Sequence, residues 1–142
     1  MSYCIPTEVI ELMPLKTVVE LLDDTGTAVT VEEVSPLLVK MISKSDALID
    51  TQLRSRYPVP LTSIPEIIKT ISIIFTKYNC WNRRGYDVPG SVTKEYDDGM
   101  RLLKEIRDGQ VDIGIETDTG EDFFIKTNKT IEDNYFNLES YQ

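Results

Sequence analysis

The residues of this chain that could do acid–base or metal chemistry are almost all carboxylates. Among 142 residues there are 24 Asp and Glu and no His. The acids form five adjacent pairs: Asp23/Asp24, Glu32/Glu33, Asp97/Asp98, Glu121/Asp122 and Glu132/Asp133. Sequence neighbours on a helix point about 100° apart, so such pairs do not converge on one reacting atom. We interpret them as solvated surface.

The rest of the composition excludes further kinds of catalytic and metal site. Without His there is no Ser-His or Cys-His catalysis and no His-based zinc site. Two cysteines, Cys4 and Cys80, are too few for a Cys-rich zinc or iron–sulfur centre, and we expect free thiols in a reducing compartment. The acids between residues 112 and 122 do not follow the EF-hand spacing. We therefore expect no catalytic residue, no metal site and no cofactor.

The net charge of −9 argues against a protein that holds nucleic acid over a broad basic surface. Most of the excess follows Gly109, because residues 110–142 contain 8 acids and 2 bases. We therefore predict a helical domain over residues 1–109 and an acidic arm over residues 110–142. No apolar run approaches the ~18–20 residues of a membrane span, which predicts a soluble intracellular product.

Hydrophobic spacing and prolines predict mostly helix. Pro6 and Pro14 fit the starts of two short helices, over residues 6–12 and 15–22. A longer helix with apolar residues from Val34 to Leu53 follows and runs to about Arg56. It could start at the Thr30–Glu33 capping box, but Ser35 as N-cap before Pro36 is the cleaner start, because proline inside a helix breaks it.

The strongest pattern is the apolar face from Ile64 to Trp81, which predicts a central helix over residues 65–82 capped at Ser63. Ile73 lies off this face, so the helix is expected to be buried on more than one side. Another helix, capped by Ser91, should end with Gly109 at its C′ position. Alternation from Val111 to Ile115 then suggests a strand pairing with residues 123–125. The fold class is mainly α: a small helical bundle of three long helices plus short N-terminal helices, with a C-terminal β-hairpin or extended arm.

Several cationic and aromatic residues have the composition of a contact surface. An Arg beside Tyr or Trp is typical of interface hot spots. The leading alternatives are ion pairs within the chain for the arginines and a cap on the core for Tyr57 and Trp81. Arg54 and Arg84 are better explained by helix-dipole and ion-pair contacts. The acidity of the arm suits simple solvation and its aromatics suit docking on a partner, and both alternatives stay open. The interface candidates are Arg56, Tyr57, Trp81, Arg83, Phe123, Phe124, Tyr135 and Phe136.

Several stretches together resemble a family of small tailed-phage virion proteins. The sharpest is Arg-Tyr-Pro-Val-Pro-Leu over residues 56–61, followed by a Pro-initiated helix. The others are residues 45–50, 64–68 and 81–84, and then Tyr96, Leu103, Ile106 and Gly109. Over about residues 3–115 the chain resembles the Mu-like prophage conserved proteins, which are grouped with the head–tail connector, or head-completion, proteins.

The resemblance implies a structural virion protein at the neck, made in the host bacterial cytoplasm. Such proteins form a ring, typically a dodecamer, between the portal protein and a tail or stopper protein. Double-stranded DNA passes through the lumen without sequence-specific binding. No enzyme activity, cofactor or membrane is implied. An acidic lumen suits this role, because like charges keep DNA from adhering.

Two other functions stay open. One is a non-enzymatic adaptor module that binds a protein partner through the acidic arm. The other is an enzyme in which folding brings two carboxylates together. Oligomeric size separates the adaptor from the connector, and a pocket with converging carboxylates would identify the enzyme.

Overall fold

The computed structural model describes residues 2–27, 30–83, 85 and 87–116. They form five helices: α1 (Pro6–Leu12), α2 (Leu15–Leu22), α3 (Val31–Leu53), α4 (Glu66–Asn82) and α5 (Gly90–Arg107). The mainly α bundle, with three long helices after two short ones, is therefore confirmed. Residues 110–116, the root of the expected arm, contain no regular secondary structure, and the arm from residue 117 onward lies outside the described residues.

The start of α3 differs from the favoured prediction. Thr30 is the N-cap and Pro36 lies inside the helix, so the start at Ser35 is wrong. Proline at this position removes one helical N–H and crowds the carbonyl four residues earlier, yet α3 continues through it. The additional turn places Val34 in the core. The Thr30 hydroxyl donates to the Glu33 carboxylate at 3.1 Å.

Proline also decides the starts of the next two helices. Pro65 and Pro89 are the N-caps of α4 and α5, and neither helix has a side-chain cap, so the caps expected at Ser63 and Ser91 are wrong. The φ angle of each proline is fixed near the value that a helix start needs, without help from a hydroxyl. Before α4 the chain is irregular, with a cis peptide bond between Val59 and Pro60.

Helix α4 is the centre of the molecule and packs against all four other helices. One of its faces contributes Ile73 and Cys80 to a first apolar cluster, shared with α1, α2 and the first half of α3. Another contributes Ile68 and Phe75 to a second cluster, shared with the end of α3 and with α5. This confirms the expectation that α4 is buried on more than one side.

Helix α5 ends as its sequence predicts. Gly109 has φ +83°, in the left-handed region that suits a C′ glycine, and its N–H donates to the carbonyl of Ile106 at 3.2 Å. The chain then reverses, and Val111, Ile113 and Ile115 pack against the second cluster. Among the described residues, no helix is both long enough and apolar enough to cross a lipid bilayer.

Candidate functional site

The carboxylates do not assemble into a metal site in the part of the chain that the structure describes. No group of three or more His, Cys, Asp or Glu side chains there could hold a metal ion. Glu32 and Glu33 are exposed in the first turn of α3, and Asp97 and Asp98 are exposed on α5. The pairs Glu121/Asp122 and Glu132/Asp133 lie outside the described residues. The absence of an enzyme activity stays a prediction.

One carboxylate, Asp46 on α3, is nevertheless buried and only 6 % exposed. It accepts hydrogen bonds from the Ser72 hydroxyl at 2.7 Å and from the Tyr3 backbone N–H at 3.0 Å. Burial raises the pKa of Asp46 above its usual range, although these two bonds oppose the shift. Asp46 therefore joins α3, α4 and the N-terminal segment inside the bundle.

The N-terminal segment is held by a second carboxylate one turn further along α3. The buried Tyr3 hydroxyl donates to Asp50 and accepts the backbone N–H of Leu61 at 3.0 Å. Burial, reinforced by the Asp50 carboxylate, raises the pKa of Tyr3. Tyr3 thus ties the start of the chain to the segment between α3 and α4.

The polar interior continues along α4 and is internally bonded. The Ser45 hydroxyl lies 3.0 Å from that of Thr76 and accepts the Asn79 amide at 3.0 Å. The Cys4 thiol lies 3.2 Å from the Ser72 hydroxyl. Because hydrogen-bonded neighbours surround these groups, we interpret the network as structural.

The sequence contains one sign of this polar network that hydrophobic periodicity alone does not reveal. Ser45 and Asp46 lie between Ile42 and Ile49 at the spacing of the buried face of α3. Two polar residues within an apolar helical face indicate an interior polar contact, but the sequence does not reveal its partners. Tyr3 and Ser72 come from parts of the chain far from α3.

At the C-terminal end of α4, the predicted contact residues pair within the chain. The Arg83 guanidinium forms an ion pair with Asp24 and donates to the carbonyl of Leu21 at 3.4 Å. Trp81 is half-buried against the first cluster. Arg83 therefore fastens the end of α4 to the end of α2, and a role for either residue in a subunit contact stays a prediction.

At the opposite end of α4, Tyr57 is buried, with 1 % exposure, in the second cluster. The half-buried Arg56 guanidinium lies 5.7 Å from the centre of the Tyr57 ring and against Gly109. Within the described chain, neither Arg56 Nε nor the Tyr57 hydroxyl has a hydrogen-bond partner. Both residues stay interface predictions. Phe123, Phe124, Tyr135 and Phe136 lie outside the described residues.

An apolar groove runs between α4 and α5. Its volume is about 260 Å³, and we call it the α4–α5 groove; its lining residues are Ile67, Thr70, Ile71, Ile74, Glu95, Asp98, Gly99 and Leu102. Gly99 allows the close approach of the helices, because a Cβ there would lie 3.1 Å from Phe75 Cε1. The groove is smaller than the roughly 300–1,000 Å³ of small-molecule pockets.

A second apolar surface lies where α1 meets α2. Leu12 and Leu15 are 61 % and 51 % exposed, on either side of the exposed Pro14. We call residues 12–15 the α1–α2 corner. Large exposed side chains so close together are typical of contact surfaces. The corner was not among the sequence predictions, because Leu12 and Leu15 fit the apolar pattern of buried helix faces.

These features define a class: a helical bundle with a bonded polar interior and apolar surfaces suited to protein contacts. Comparison with known proteins then identifies the family. The family described as Bacteriophage Mu, Gp36 matches residues 3–123, and the chain belongs to it. The predicted relationship to Mu-like phage proteins is confirmed, and with it a phage structural, virion-associated role.

A curated relative agrees with this family. Over 79 residues the chain is 31 % identical to "Gene product J" of Escherichia phage Mu. The matched region covers 55 % of this chain and 53 % of that protein. The chain thus spans about half the length of the curated relative it matches.

Proposed function

We propose that this chain is a head–tail connector protein that forms a ring around the DNA channel between portal and tail. The observation that carries the proposal is the family relationship over residues 3–123, which includes all five helices. The fold is compatible with this role. A ring subunit needs a body that keeps its shape while its surfaces bind neighbours, and α4 is fixed against every other helix.

The packing supports a rigid body more specifically. Asp46 and Asp50 fasten the N-terminal segment to α3, and Arg83 fastens the α4 end to the α2 end. These bonds join segments that are distant in the sequence, which supports a body that keeps its shape. The apolar α4–α5 groove and α1–α2 corner remain available for neighbours.

The charge distribution of the chain favours passage of DNA through a ring over tight binding of DNA. In residues 1–109 acids and bases are nearly balanced, and the acidic excess begins beyond Gly109. Asp112 and Glu116, the two acids of the arm within the described residues, are both exposed. A lumen with such a surface would release no counterions from DNA and would bind it weakly.

Complementation of defective particles tests the proposal. Phage particles produced without this gene should accumulate as separate DNA-filled heads and complete tails. Adding the purified full-length chain to such an extract should restore joined, infectious particles. Joined particles in the absence of the gene would contradict the proposal. A chain that binds one phage protein as a monomer, without joining heads to tails, would instead favour the adaptor function.

A further inference from the structure

We propose that the α1–α2 corner of one copy inserts into the α4–α5 groove of the next copy, forming the repeating contact of the ring. The inference rests on the proposed function, because it specifies how the ring subunits bind one another. It commits to a second copy of this chain as the occupant of the groove.

The α1–α2 corner and the α4–α5 groove are both apolar. The corner projects two mostly exposed leucines, Leu12 and Leu15, on either side of Pro14. The groove offers about 260 Å³ lined by Ile67, Ile74 and Leu102, which are only partly buried in the single chain. Insertion of the leucines would remove apolar surface on both copies from water.

The charges at the rims are also complementary. Lys16 follows Leu15 directly, is exposed, and has a loose contact of 3.9 Å with Glu20 on the same helix. Asp98 on the groove rim pairs with Arg101 at 3.1 Å, and both side chains are exposed. Exposed pairs of this kind are weak, so Lys16 and Asp98 can exchange partners at little cost.

The placement of the surfaces makes the contact repeat. The α1 and α2 helices pack on α3 and α4, whereas the groove lies between α4 and α5. Corner and groove are therefore different surfaces of one chain. A contact between them leaves the second copy's corner free for a third copy, and such heterologous contacts generate a ring when the rotation between copies closes.

Disulfide trapping with the full-length chain tests this contact. Leu15→Cys and Thr70→Cys proteins are purified separately, one carries a mass tag, and the two are mixed and oxidised. The native Cys4 and Cys80 are buried and free, so they contribute little background. The matched control replaces Leu15→Cys by Val39→Cys, which introduces a thiol at another exposed apolar residue, on α3.

We expect about tenfold more tagged–untagged dimer from the Leu15/Thr70 pair than from the Val39/Thr70 pair at equal concentration. Equal yields, even at about 1 mM protein, would overturn the inference, and so would a predominance of Leu15–Leu15 dimers, which would show corner-to-corner pairing.

A charge exchange provides the second readout. Lys16→Glu and Asp98→Lys should each reduce the trapped fraction, and mixing the two variant chains should restore it, because the opposite charges again face each other. No restoration would contradict the pairing of Lys16 with Asp98. If these tests fail while complementation still joins heads to tails, the contact is wrong and the proposed function stands. If trapping and charge exchange succeed while complementation fails, the contact stands and the proposed function is wrong.

Discussion

The guanidinium of Arg56 lies directly against Gly109. A Cβ atom on Gly109 would stand 2.5 Å from Arg56 Nη1, closer than any side-chain carbon normally approaches a neighbour. The contact joins the turn after α3 to the end of α5, at the point where the predicted arm begins. The positive φ angle favours glycine at position 109, and a larger residue there would also have to displace the flexible end of the Arg56 side chain.

These two effects can be separated by substitution. Gly109→Ala should lower the free energy of unfolding by more than Gly26→Ala, because Gly26 has a similar φ of +73° and open space around it. Backbone strain should cost each variant about 1–2 kcal/mol. Adding Arg56→Ala should reduce the Gly109→Ala loss to that of Gly26→Ala. Urea denaturation of five proteins measures this: the wild type, the two glycine variants, Arg56→Ala alone and the double variant. Equal losses for the two glycine variants would show that Arg56 simply moves aside.

The buried carboxylate of Asp46 makes a prediction about pH. Burial raises its pKa in the folded protein, so the folded state binds the proton more tightly than the unfolded state. The contribution of Asp46 to stability is therefore complete below the unfolded pKa and is lost as pH rises through the folded pKa. Relative to Asp46→Asn, the wild type should gain stability as pH falls from neutral toward the usual aspartate range.

Denaturation of both proteins across that pH range gives the difference in free energy directly. At neutral pH Asp46→Asn should itself cost about 1–3 kcal/mol. The Ser72 hydroxyl and the Tyr3 N–H donate to different carboxylate oxygens, and the amide nitrogen that replaces one of them is itself a donor. The prediction fails if wild type loses stability relative to Asp46→Asn as pH falls. In that case the hydrogen bonds from Ser72 and Tyr3 outweigh burial and stabilise the charged carboxylate.

Both cysteines should be unreactive in the folded protein. Burial raises the pKa of Cys4, and it raises the pKa of Cys80 to about 12. Only the thiolate reacts with alkylating reagents, so at about pH 8 labelling should be slow and should accelerate on unfolding. Mass spectrometry after short iodoacetamide exposure counts the labelled thiols. Rapid labelling of either cysteine in native protein would show that its cluster opens easily.

Two isoleucines of α4 test its role at the centre of the bundle. Ile73 is buried in the first cluster, whereas Ile67 is half-buried at the α4–α5 groove. Ile73→Ala should cost about 2–5 kcal/mol because it leaves a cavity, and Ile67→Ala should cost clearly less. Thermal or urea unfolding provides the comparison. Similar losses would mean that the first cluster collapses around the missing side chain.

How far the sequence predicts this molecule depends on whether the determining contacts are local. The helices, the central position of α4 and the role of Gly109 follow from spacing and backbone preference, which act over a few residues. The start of α3 does not, because burial of Val34 outweighs the disruption by Pro36. Tertiary packing overrides local propensity there.

The interior polar network and the two apolar surfaces also depend on contacts between distant segments. The polar network around Asp46 depends on Tyr3 and Ser72, which only the fold brings together. The corner at Leu12 and Leu15 also escapes prediction, since periodicity does not distinguish an apolar residue that faces the core from one left exposed. The α4–α5 groove escapes prediction as well, because the close approach of the two helices depends on the missing side chain of Gly99.

The most direct test of the central claim is a reconstruction of the neck of intact phage particles by electron cryo-microscopy. The account predicts a ring between portal and tail, around the DNA channel, in which each subunit density accommodates helices α1–α5 as they pack here. A neck fully occupied by other proteins, with this chain absent from purified particles by mass spectrometry, would contradict it.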